Sequence, residues 1–463
     1  MNTDGFNPKT INYGIFHAYD IRGTYPDEIN EATCYAIGKG YCYVFKPKSV
    51  AVGIDVRPSS PALKEALIQG ILDAGGDVAD LDKVTTDMVY FAVGAYGYSG
   101  GIVISASHNP AKYNGIKMVR EKGTSISSDT GLFEIRDNLK DGKVSSTPAA
   151  KKGTRQKKEI TADYVKHVLT YTGKTVIKPF KVVVNTNFGY ASLPVGIISR
   201  QLNLNLVPLN FTPDSSFPKG PPNPLLPENQ GETEELVRKT HADFGVMWDG
   251  DGDRVMFVDN KGRFIPGVYI TALLAKIMLE HYGKNNKIIF DPRAVWPILK
   301  AIKEAGGQAI LSKAGHAFIK DRMRKEKALF GGELSGHYYF RDSFYCDNGI
   351  IPWLLVMKYM SENNTTLADM IQPFISGHCL IGELNYDVLD VKETMDDIIR
   401  QYKGTGTEDF TDGYSVETAD WRFNIRPSNT EPIIRLNIES HEQKVAEDIR
   451  QKLEKIIARH KVK

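Results

Sequence analysis

The chain has few of the features that mark secreted, membrane-spanning and nucleic-acid-binding proteins. Its 463 residues include only four cysteines, none in a CxxC pair, which excludes a disulfide framework. No run approaches the ~20 consecutive apolar residues of a membrane helix, and the amino terminus lacks the basic and apolar regions of a secretory signal. The 58 basic and 56 acidic residues nearly cancel, so no bulk attraction to nucleic acid or membrane is expected. These absences predict a cytoplasmic protein.

The remaining composition is that of an ordinary globular protein with more than one core. Charged residues make up 25% and hydrophobic residues 41% of the chain, which are typical proportions for such proteins. A chain of 463 residues exceeds the size at which a single hydrophobic core stops growing. We therefore expect several domains.

A strand–helix–strand pattern occurs three times along the chain. In the first copy, an apolar run at residues 52–57 is followed by a helical pattern at 60–76 and a second apolar run at 77–81. Similar units begin near Val182 and Ile288. Because such units place parallel strands in a sheet covered by helices, the repeat predicts three related α/β domains with parallel or mixed sheets.

The last hundred or so residues follow a different pattern. Segments 380–390, 414–425 and 433–439 are strand-like, and segments 392–402 and 443–458 have helical periodicity. Strands and helices no longer alternate regularly, which indicates a small α+β domain.

These patterns divide the chain into four predicted domains. Their predicted bounds are 1–153, 154–258, 259–372 and 373–463. The first boundary falls in a lysine-rich stretch, residues 151–158, which we interpret as a solvated linker.

The first candidate site, here called the serine loop, is Ser105-Ala-Ser-His-Asn-Pro110. It follows an apolar run and presents the Ser107 hydroxyl beside the His108 imidazole. In one interpretation Ser107 bears and exchanges a phosphoryl group, while His108 and Lys117 bind phosphate oxygens or assist proton transfer. The alternative is a strand followed by ordinary polar turns, since the pairs Asn109-Pro110 and Asn114-Gly115 are common turn formers.

The second candidate site, here called the aspartate loop, is Asp249-Gly-Asp-Gly-Asp-Arg254. Carboxylates at alternate positions repel one another unless a cation lies among them, and the two glycines permit a tight turn. An EF-hand is excluded because Arg254 and Asn260 stand where that loop needs Gly and Glu. We assign Asp249, Asp251 and Asp253 to Mg²⁺, with one place left for an oxygen of a phosphorylated serine; a purely structural polar turn is the alternative.

A third cluster, Gly331-Gly-Glu-Leu-Ser-Gly-His337, alternates a carboxylate, a hydroxyl and an imidazole. In an extended segment Glu333, Ser335 and His337 share one face and suit neighbouring sugar hydroxyls. His316 falls in the same predicted domain. The alternative is an exposed strand edge.

The fourth cluster, here called the phosphate cradle, is Arg426-Pro-Ser-Asn-Thr-Glu-Pro432. A guanidinium, hydroxyls, an amide and the N–H groups of a turn are suited to an anion. Arg435 either contributes to this site or pairs with a local carboxylate. The alternative for the whole cluster is a capped turn with solvated charges.

These segments, in this order and spacing, resemble the α-D-phosphohexomutase superfamily, specifically its bacterial phosphomannomutase/phosphoglucomutase branch. The resemblance extends from Tyr19-Asp-Ile-Arg22 to the phosphate cradle. It implies four domains around a central active-site cleft, the first three sharing a mixed-sheet α/β core. It also implies that Ser107 is a phosphoserine and a fourth Mg²⁺ ligand, beside the three aspartates.

The resemblance further implies how the other residues act. Lys117, Arg254 and His108 would act with Ser107 in catalysis. The substrate would be bound by Tyr19, Arg22, Arg293, His316, Glu333, Ser335, His337, Arg426, Ser428, Asn429 and Thr430. Arg293 stands where many relatives have a lysine, and a guanidinium is a poor base, so proton transfer is assigned elsewhere.

The implied activity is reversible interconversion of hexose 6-phosphate and hexose 1-phosphate in carbohydrate metabolism, with mannose favoured over glucose. A hexose 1,6-bisphosphate would be both intermediate and activator, and the protein would be a monomer or homodimer. A phosphoglucosamine mutase is the nearest alternative, disfavoured because Leu334 and Asn429 differ from the residues typical of that enzyme. A metal-dependent sugar phosphatase and a non-catalytic sugar-phosphate-binding protein are the alternatives outside the mutase class.

Overall fold

A computed structural model describes residues 6–428 and 433–460, so Asn429 and Thr430 of the predicted phosphate cradle lie outside the described residues. The chain forms two compact units. The first unit runs to Ile265 and includes His337–Leu367, and the second contains Pro266–Gly336 and the chain from Ala368 onward.

The amino-terminal part of the first unit contains a six-stranded sheet. Its strands are β1 (Ile21–Thr24), β2 (Ser49–Ile54), β3 (Asp77–Lys83), β4 (Gly100–Ile104), β5 (Tyr113–Arg120) and β6 (Arg155–Lys157), and its helices are α1 (Glu31–Phe45), α2 (Ser60–Asp73), α3 (Thr86–Tyr96) and α4 (Leu132–Lys140). The strand order is β1-β5-β4-β2-β3-β6. Strand β2 lies parallel to β3 and β4, and β4 is antiparallel to β5. Five of the six β2 residues are buried, as in strands covered by helices on both faces.

Strand β6 occupies the stretch that the sequence assigned to a solvated linker. It pairs with β3 in parallel and therefore extends the first sheet past the boundary predicted at residue 153. Arg155 explains this placement, because its guanidinium forms ion pairs with Glu65 and Asp80 on neighbouring elements. The linker interpretation was wrong for these three residues, although their side chains are exposed as expected.

The larger segment of the first unit also contains a second sheet together with its helices. Its elements are α5 (Thr161–Leu169), β7 (Lys181–Asn185), α6 (Ser192–Gln201), β8 (Asn205–Leu209), α7 (Pro227–Thr240), β9 (Phe244–Trp248), β10 (Val255–Val258) and β11 (Phe264–Ile265). The strand order is β11-β10-β9-β7-β8. Strand β7 is parallel to β8 and β9, and β9 is antiparallel to β10. This arrangement repeats that of β2 to β5, as the internal repeat predicts.

The third copy of the repeat lies in the second unit. It comprises α8 (Gly267–Tyr282), β12 (Lys287–Phe290), α9 (Trp296–Glu304), β13 (Gln308–Leu311), α10 (His316–Glu326) and β14 (Phe330–Gly332). Strand β12 again lies parallel to its two neighbours, β13 and β14. The following elements, β15 (Tyr338–Phe340), β16 (Cys346–Asp347) and α11 (Ile351–Asn363), belong to the first unit. The prediction of three related α/β domains is confirmed.

The carboxyl-terminal domain is α+β, as predicted. It follows α12 (Leu367–Ile375), and its elements are β17 (Cys379–Asp387), α13 (Val391–Tyr402), β18 (Thr407–Asp409), β19 (Tyr414–Glu417), β20 (Trp421–Pro427), β21 (Ile433–Ser440) and α14 (Gln443–Ile457). All neighbours in the order β17-β21-β20-β19-β18 are antiparallel. The strand predicted at 414–425 is a hairpin, because the Thr418 hydroxyl accepts hydrogen bonds from the Asp420 and Trp421 N–H groups and stabilises a turn.

The two faces of this sheet differ in chemistry. On β20 and β21, Phe423, Ile425, Leu436 and Ile438 belong to the buried core that also contains residues of α13 and α14. Because side chains alternate along a strand, the intervening residues lie on the opposite face. These residues are Arg422, Asn424, Arg426, Arg435, Asn437 and Glu439.

Helix α8 is the most apolar of the long helices. Twelve of its 16 residues are buried, as expected for a helix that is hydrophobic on most sides. In the described part of the chain, no helix is both long and apolar enough to cross a bilayer.

Candidate active site

The serine loop begins just after β4 and holds Ser107 in a fixed conformation. Ser107 has a left-handed φ of 49°, which is uncommon for a residue other than glycine. Its backbone N–H donates to Ser105 Oγ at 2.8 Å, and its side chain is buried. The loop is therefore held in a strained conformation of the kind that surrounding contacts must maintain.

Arg57 supplies those contacts. Its buried guanidinium donates to four backbone carbonyl oxygens of the segment 107–113, at distances of 2.6 to 3.0 Å. Asp55 Oδ2 accepts from Arg57 Nε at 3.0 Å and balances the charge. Sequence reasoning missed this role, although the segment ending at Arg57 was identified as a strand of the repeat.

The aspartate loop follows β9 and meets the serine loop. Ser107 Oγ donates to Asp249 Oδ2 at 2.7 Å, across 142 positions of sequence. Thr86 and Ser105, which sequence reasoning did not select, donate to Asp251 Oδ2 at 2.6 and 3.2 Å. The structure therefore brings the predicted nucleophile and the acidic residues into one buried cluster.

Two glycines permit the close approach of these loops. A Cβ on Gly250 would lie 2.7 Å from the Ser107 carbonyl oxygen. Gly252 has a φ of +77°, and a Cβ there would lie 2.7 Å from the Thr85 side chain. Only glycine fits these positions without displacement of backbone or packed side chain.

The three aspartates have the chemistry of a site for a hard divalent cation. Asp249, Asp251 and Asp253 are buried, and each offers a ligand atom within 4.8 Å of the others. Among the described residues, Asp251 Oδ1 and Asp253 Oδ1 have no hydrogen-bond partner. Burial and the two neighbouring carboxylates raise the pKa of Asp249. Unsatisfied, mutually repelling carboxylate oxygens fit a bound cation.

Lys117 on β5 lies beside the same carboxylates. Its ammonium is 2.8 Å from Asp251 Oδ2 and 2.5 Å from Asp253 Oδ2. Burial alone would lower the pKa of Lys117, but the three carboxylates raise it overall. Lys117 is therefore a fixed positive charge within the cluster.

Arg254 and His337 form a second layer around the aspartate loop. Arg254 Nε donates to His337 Nε2 at 3.3 Å, and His337 Nε2 is 3.6 Å from Asp253 Oδ1. The extended segment predicted for residues 333–337 was wrong, because the Gly336 N–H donates to the Glu333 carbonyl and closes a turn. His337 consequently pairs with Arg254 in an isolated antiparallel bridge.

His108 lies beside Ser107, and Arg22 contacts the same loop through Asn109. His108 Nδ1 lies 3.2 Å from Ser107 Oγ. Burial and the charges of nearby arginines and Lys117 hold the pKa of His108 well below its usual value, which favours the neutral imidazole. Arg22 donates to Asn109 Oδ1 at 2.8 Å and pairs with Asp20 at 2.6 Å. Tyr19 is half-buried next to Asp20.

In the second unit, Arg293 and Glu333 lie close together. The Arg293 guanidinium forms two hydrogen bonds with Asp291, at 2.7 and 2.9 Å, and lies 3.7 Å from Glu333 Oε1. Glu333 Oε1 also accepts from the Gly315 N–H at 2.7 Å. His316 is buried at the start of α10, and Ser335 is half-buried in the turn.

The three copies of the repeat share one local structure after their first strand. A side-chain oxygen accepts a hydrogen bond from the N–H two residues later, at 2.9 to 3.0 Å, which forms an Asx turn. The pairs are Asp55 with Arg57, Asn185 with Asn187, and Asp291 with Arg293. The second residue of each pair contacts a different group with its side chain. Asn187, for example, donates to the Trp248 carbonyl oxygen just before the aspartate loop.

The described part of the phosphate cradle adjoins an ion-pair cluster. Arg426 and Arg435 each donate to Glu383, at 3.1 Å, and Arg293 lies 3.7 Å from the same carboxylate. The Ser428 N–H donates to the Ile433 carbonyl at 2.9 Å. Sequence reasoning allowed Arg435 a local carboxylate partner but did not identify Glu383.

Comparison with known proteins identifies the family of this chain. Four profiles described as phosphoglucomutase/phosphomannomutase domains match it: α/β/α domain I at residues 14–145, domain II at 162–262, domain III at 266–376 and the C-terminal domain at 383–456.

Similar full-length proteins support the same identification. A protein named phosphohexose mutases from Xanthomonas campestris pv. campestris is 44% identical over 427 residues, covering 92% of this chain and 94% of that protein. A phosphomannomutase from Escherichia coli K12 is 42% identical over 431 residues, covering 92% and 94% of the two chains. The crystal structure of a phosphoglucomutase/phosphomannomutase family protein from Burkholderia thailandensis superposes with a TM-score of 0.87 at 27% identity, covering 96% and 97%. The chain is an enzyme of the phosphoglucomutase/phosphomannomutase family.

Proposed function

We propose that the protein reversibly interconverts hexose 6-phosphate and hexose 1-phosphate, with mannose the preferred sugar and glucose the second. The observation that carries this proposal is the 2.7 Å hydrogen bond between Ser107 Oγ and Asp249, within a buried cluster of three aspartates. A hydroxyl beside carboxylates that suit a metal is what phosphoryl transfer through serine requires. The names of the relatives, phosphomannomutase and phosphohexose mutases, support the choice of substrate.

In the proposed reaction, Ser107 begins as a phosphoserine. Its O–P bond breaks as a sugar hydroxyl forms a new O–P bond, which gives a hexose 1,6-bisphosphate and the free serine. The bisphosphate turns within the site and returns its other phosphoryl group to Ser107. The His108 ring, next to Ser107 Oγ, is our candidate for the group that accepts the proton of the sugar hydroxyl and returns a proton to the departing Ser107 oxygen; the return transfer reverses these roles.

The residues around Ser107 would stabilise the charge that develops during transfer. Asp249, Asp251 and Asp253, with an oxygen on Ser107, would hold Mg²⁺, which supplies charge neutralisation to the phosphoryl group when bound. Lys117 and Arg254 contribute fixed positive charge to the same region. Because these groups are already held by ion pairs, little reorganisation is needed during the reaction.

The substrate-binding residues fall in three groups. Tyr19 and Arg22 adjoin the serine loop, where Arg22 contacts Asn109. Arg293, His316, Glu333 and Ser335 would read the sugar, and Arg426, Ser428, Asn429 and Thr430 would hold the phosphate that is not reacting. His337, assigned to the sugar by sequence, adjoins Arg254 and Asp253 and is expected to act on the phosphoryl side.

One assay tests the function. Purified protein with Mg²⁺ and a trace of hexose 1,6-bisphosphate is given mannose, glucose or glucosamine 1-phosphate, and both the 6-phosphate isomer and inorganic phosphate are measured. We expect isomer formation to exceed phosphate release, and mannose to give the highest kcat/KM. Phosphate release as the main reaction would indicate a phosphatase instead, and a preference for glucosamine would indicate a phosphoglucosamine mutase.

Replacing Arg426 with alanine tests the phosphate cradle. We expect KM to rise by roughly 30-fold or more, equivalent to about 2 kcal/mol, because a desolvated charge pair with phosphate is lost. The effect on kcat should be smaller. The matched control is Arg450→Ala, which removes a guanidinium paired with Glu447 on α14 and should leave KM unchanged. Equal KM values in both variants would remove Arg426 from the substrate site.

A further inference from the structure

Three arginines of the second unit converge on the single carboxylate of Glu383. Arg426 reaches Oε2 and Arg435 reaches Oε1, both at 3.1 Å, and Arg293 lies 3.7 Å from Oε2. Although burial favours the protonated form, the three guanidiniums hold the pKa of Glu383 below its usual value. Glu383 is therefore an anion at the centre of the arginine cluster, defined here as Arg293, Arg426 and Arg435.

A β-bulge aims Glu383 at this cluster. Strand β17 pairs Ile381 with Ile438 and Leu384 with Leu436, so Gly382 and Glu383 together face the single residue Asn437. A bulge inserts one residue and re-aims a side chain without changing the register beyond it. The apolar residues on either side stay in the core, while Glu383 is presented to the polar face that carries the arginines.

The arginine cluster combines repelling charges with hydrogen-bond donors that no described residue uses. Arg426 and Arg435 are directly opposite each other on β20 and β21, an arrangement in which like charges repel. Asp291 already neutralises Arg293 through two hydrogen bonds. In the part of the chain that the structure describes, the Nε atoms of Arg426 and Arg435 have no hydrogen-bond partner, and Arg426 is 8% exposed. These donors have capacity for a second anion that Glu383 does not use.

We propose that Glu383 is an internal counter-ion of the arginine cluster, and that the non-reacting phosphate of the sugar displaces it from Arg426 and Arg435. This inference rests on the proposed function, because it requires a phosphosugar in the cradle. Glu383 is a positioning residue, since it acts through the arginines. Without substrate it keeps two repelling guanidiniums in place, and with substrate its carboxylate swings toward solvent, to which its side chain is already 24% exposed.

The exchange limits how tightly phosphate binds. A phosphate that must displace Glu383 loses the free energy of the contacts between Glu383 and the arginines. Its apparent affinity is therefore the intrinsic affinity multiplied by the fraction of molecules in which Glu383 has left the arginines. A moderate affinity suits an enzyme whose bisphosphate intermediate must leave the cradle, turn and bind again. Removal of Glu383 should therefore tighten binding but slow turnover.

Calorimetry without turnover tests the proposal. In a Ser107→Ala background, which blocks phosphoryl transfer, mannose 1-phosphate is titrated into the parent and into the additional variant Glu383→Gln. Glutamine keeps the size of the side chain but removes its charge. We expect the Kd to fall by roughly 10-fold in the Glu383→Gln variant. An equal or higher Kd would overturn the proposal, because a purely structural Glu383 would support phosphate binding and its loss would weaken it.

Two controls complete the test. Glu447→Gln in the same background removes a carboxylate paired with Arg450 on α14 and should not change the Kd. Glu383→Asp withdraws the carboxylate by one methylene group and should give a Kd between those of the parent and the glutamine variant. If the glutamine variant does not fold, the aspartate variant decides the test. A Kd of Glu383→Asp at or above the parent value would then overturn the proposal. Absent mutase turnover in the wild type would refute the proposed function alone, because the Kd comparison uses no turnover.

Discussion

Replacement of Ser107 with alanine is expected to lower kcat/KM by about four orders of magnitude or more. The loss is large because the variant has no oxygen to carry the phosphoryl group, and removal of a nucleophile typically costs this much or more. A coupled assay with mannose 1-phosphate, primed by hexose 1,6-bisphosphate, measures the rate. Intact-mass analysis provides a second readout, since a single phosphate should be found on the wild type and not on the variant.

The matched control is Ser125→Ala. Ser125 is also a buried serine within residues 14–145, and its hydroxyl has no hydrogen-bond partner among the described residues. Its loss should leave kcat/KM close to that of the wild type. Wild-type turnover in Ser107→Ala would show that phosphate is carried elsewhere, and the account of the active site would then fail.

The second large effect is expected for Asp251→Asn. The substitution removes one anionic ligand and weakens the contacts that Lys117 and Thr86 make with the same oxygen. We expect Mg²⁺-dependent activity to fall more than about 100-fold, beyond the upper range for loss of an outer-shell partner of a metal site. The affinity of the protein for Mn²⁺, used as a substitute for Mg²⁺ and measured by calorimetry, should fall together with the activity.

Asp259→Asn separates metal binding from folding. Asp259 is a buried aspartate in the turn after β10, where it accepts hydrogen bonds from the Lys261 and Arg263 N–H groups. Its replacement should lower the free energy of unfolding by about 1–3 kcal/mol while leaving the Mg²⁺ dependence unchanged. If Asp251→Asn retains full Mg²⁺-dependent activity, the aspartate loop is not the metal site.

Local patterns were enough to predict the α/β repeats and to select the aspartate loop as a candidate metal site. The strand–helix–strand repeat is visible because buried parallel strands are continuous apolar runs and amphipathic helices have a period near 3.6 residues. The aspartate loop could be identified because alternating carboxylates and glycines have few structural uses. A contact between this loop and Ser107 could be inferred only from the chemistry they would share.

Residues that act through distant backbone or side-chain groups could not be found in this way. Arg57 binds carbonyl oxygens 50 and 52 positions away, and no local pattern distinguishes it from a surface arginine. Glu383 depends on a bulge whose register is set by packing against β21. The conformation of residues 333–336 was predicted wrongly because the alternation of Glu333, Ser335 and His337 suggested a strand, whereas the Gly336 N–H closes a turn.

In the Asx turn common to the three repeats, the backbone bend does not depend on the side chain of the residue that donates the N–H. The turn is closed by a main-chain N–H, so the residue that supplies this N–H can change without loss of the bend. After duplication of an ancestral unit, one copy could use that position for an arginine that secures the serine loop, another for an asparagine and the third for Arg293. The residue that donates the N–H of the Asx turn thus occupies a position at which new specificity can evolve with little loss of stability.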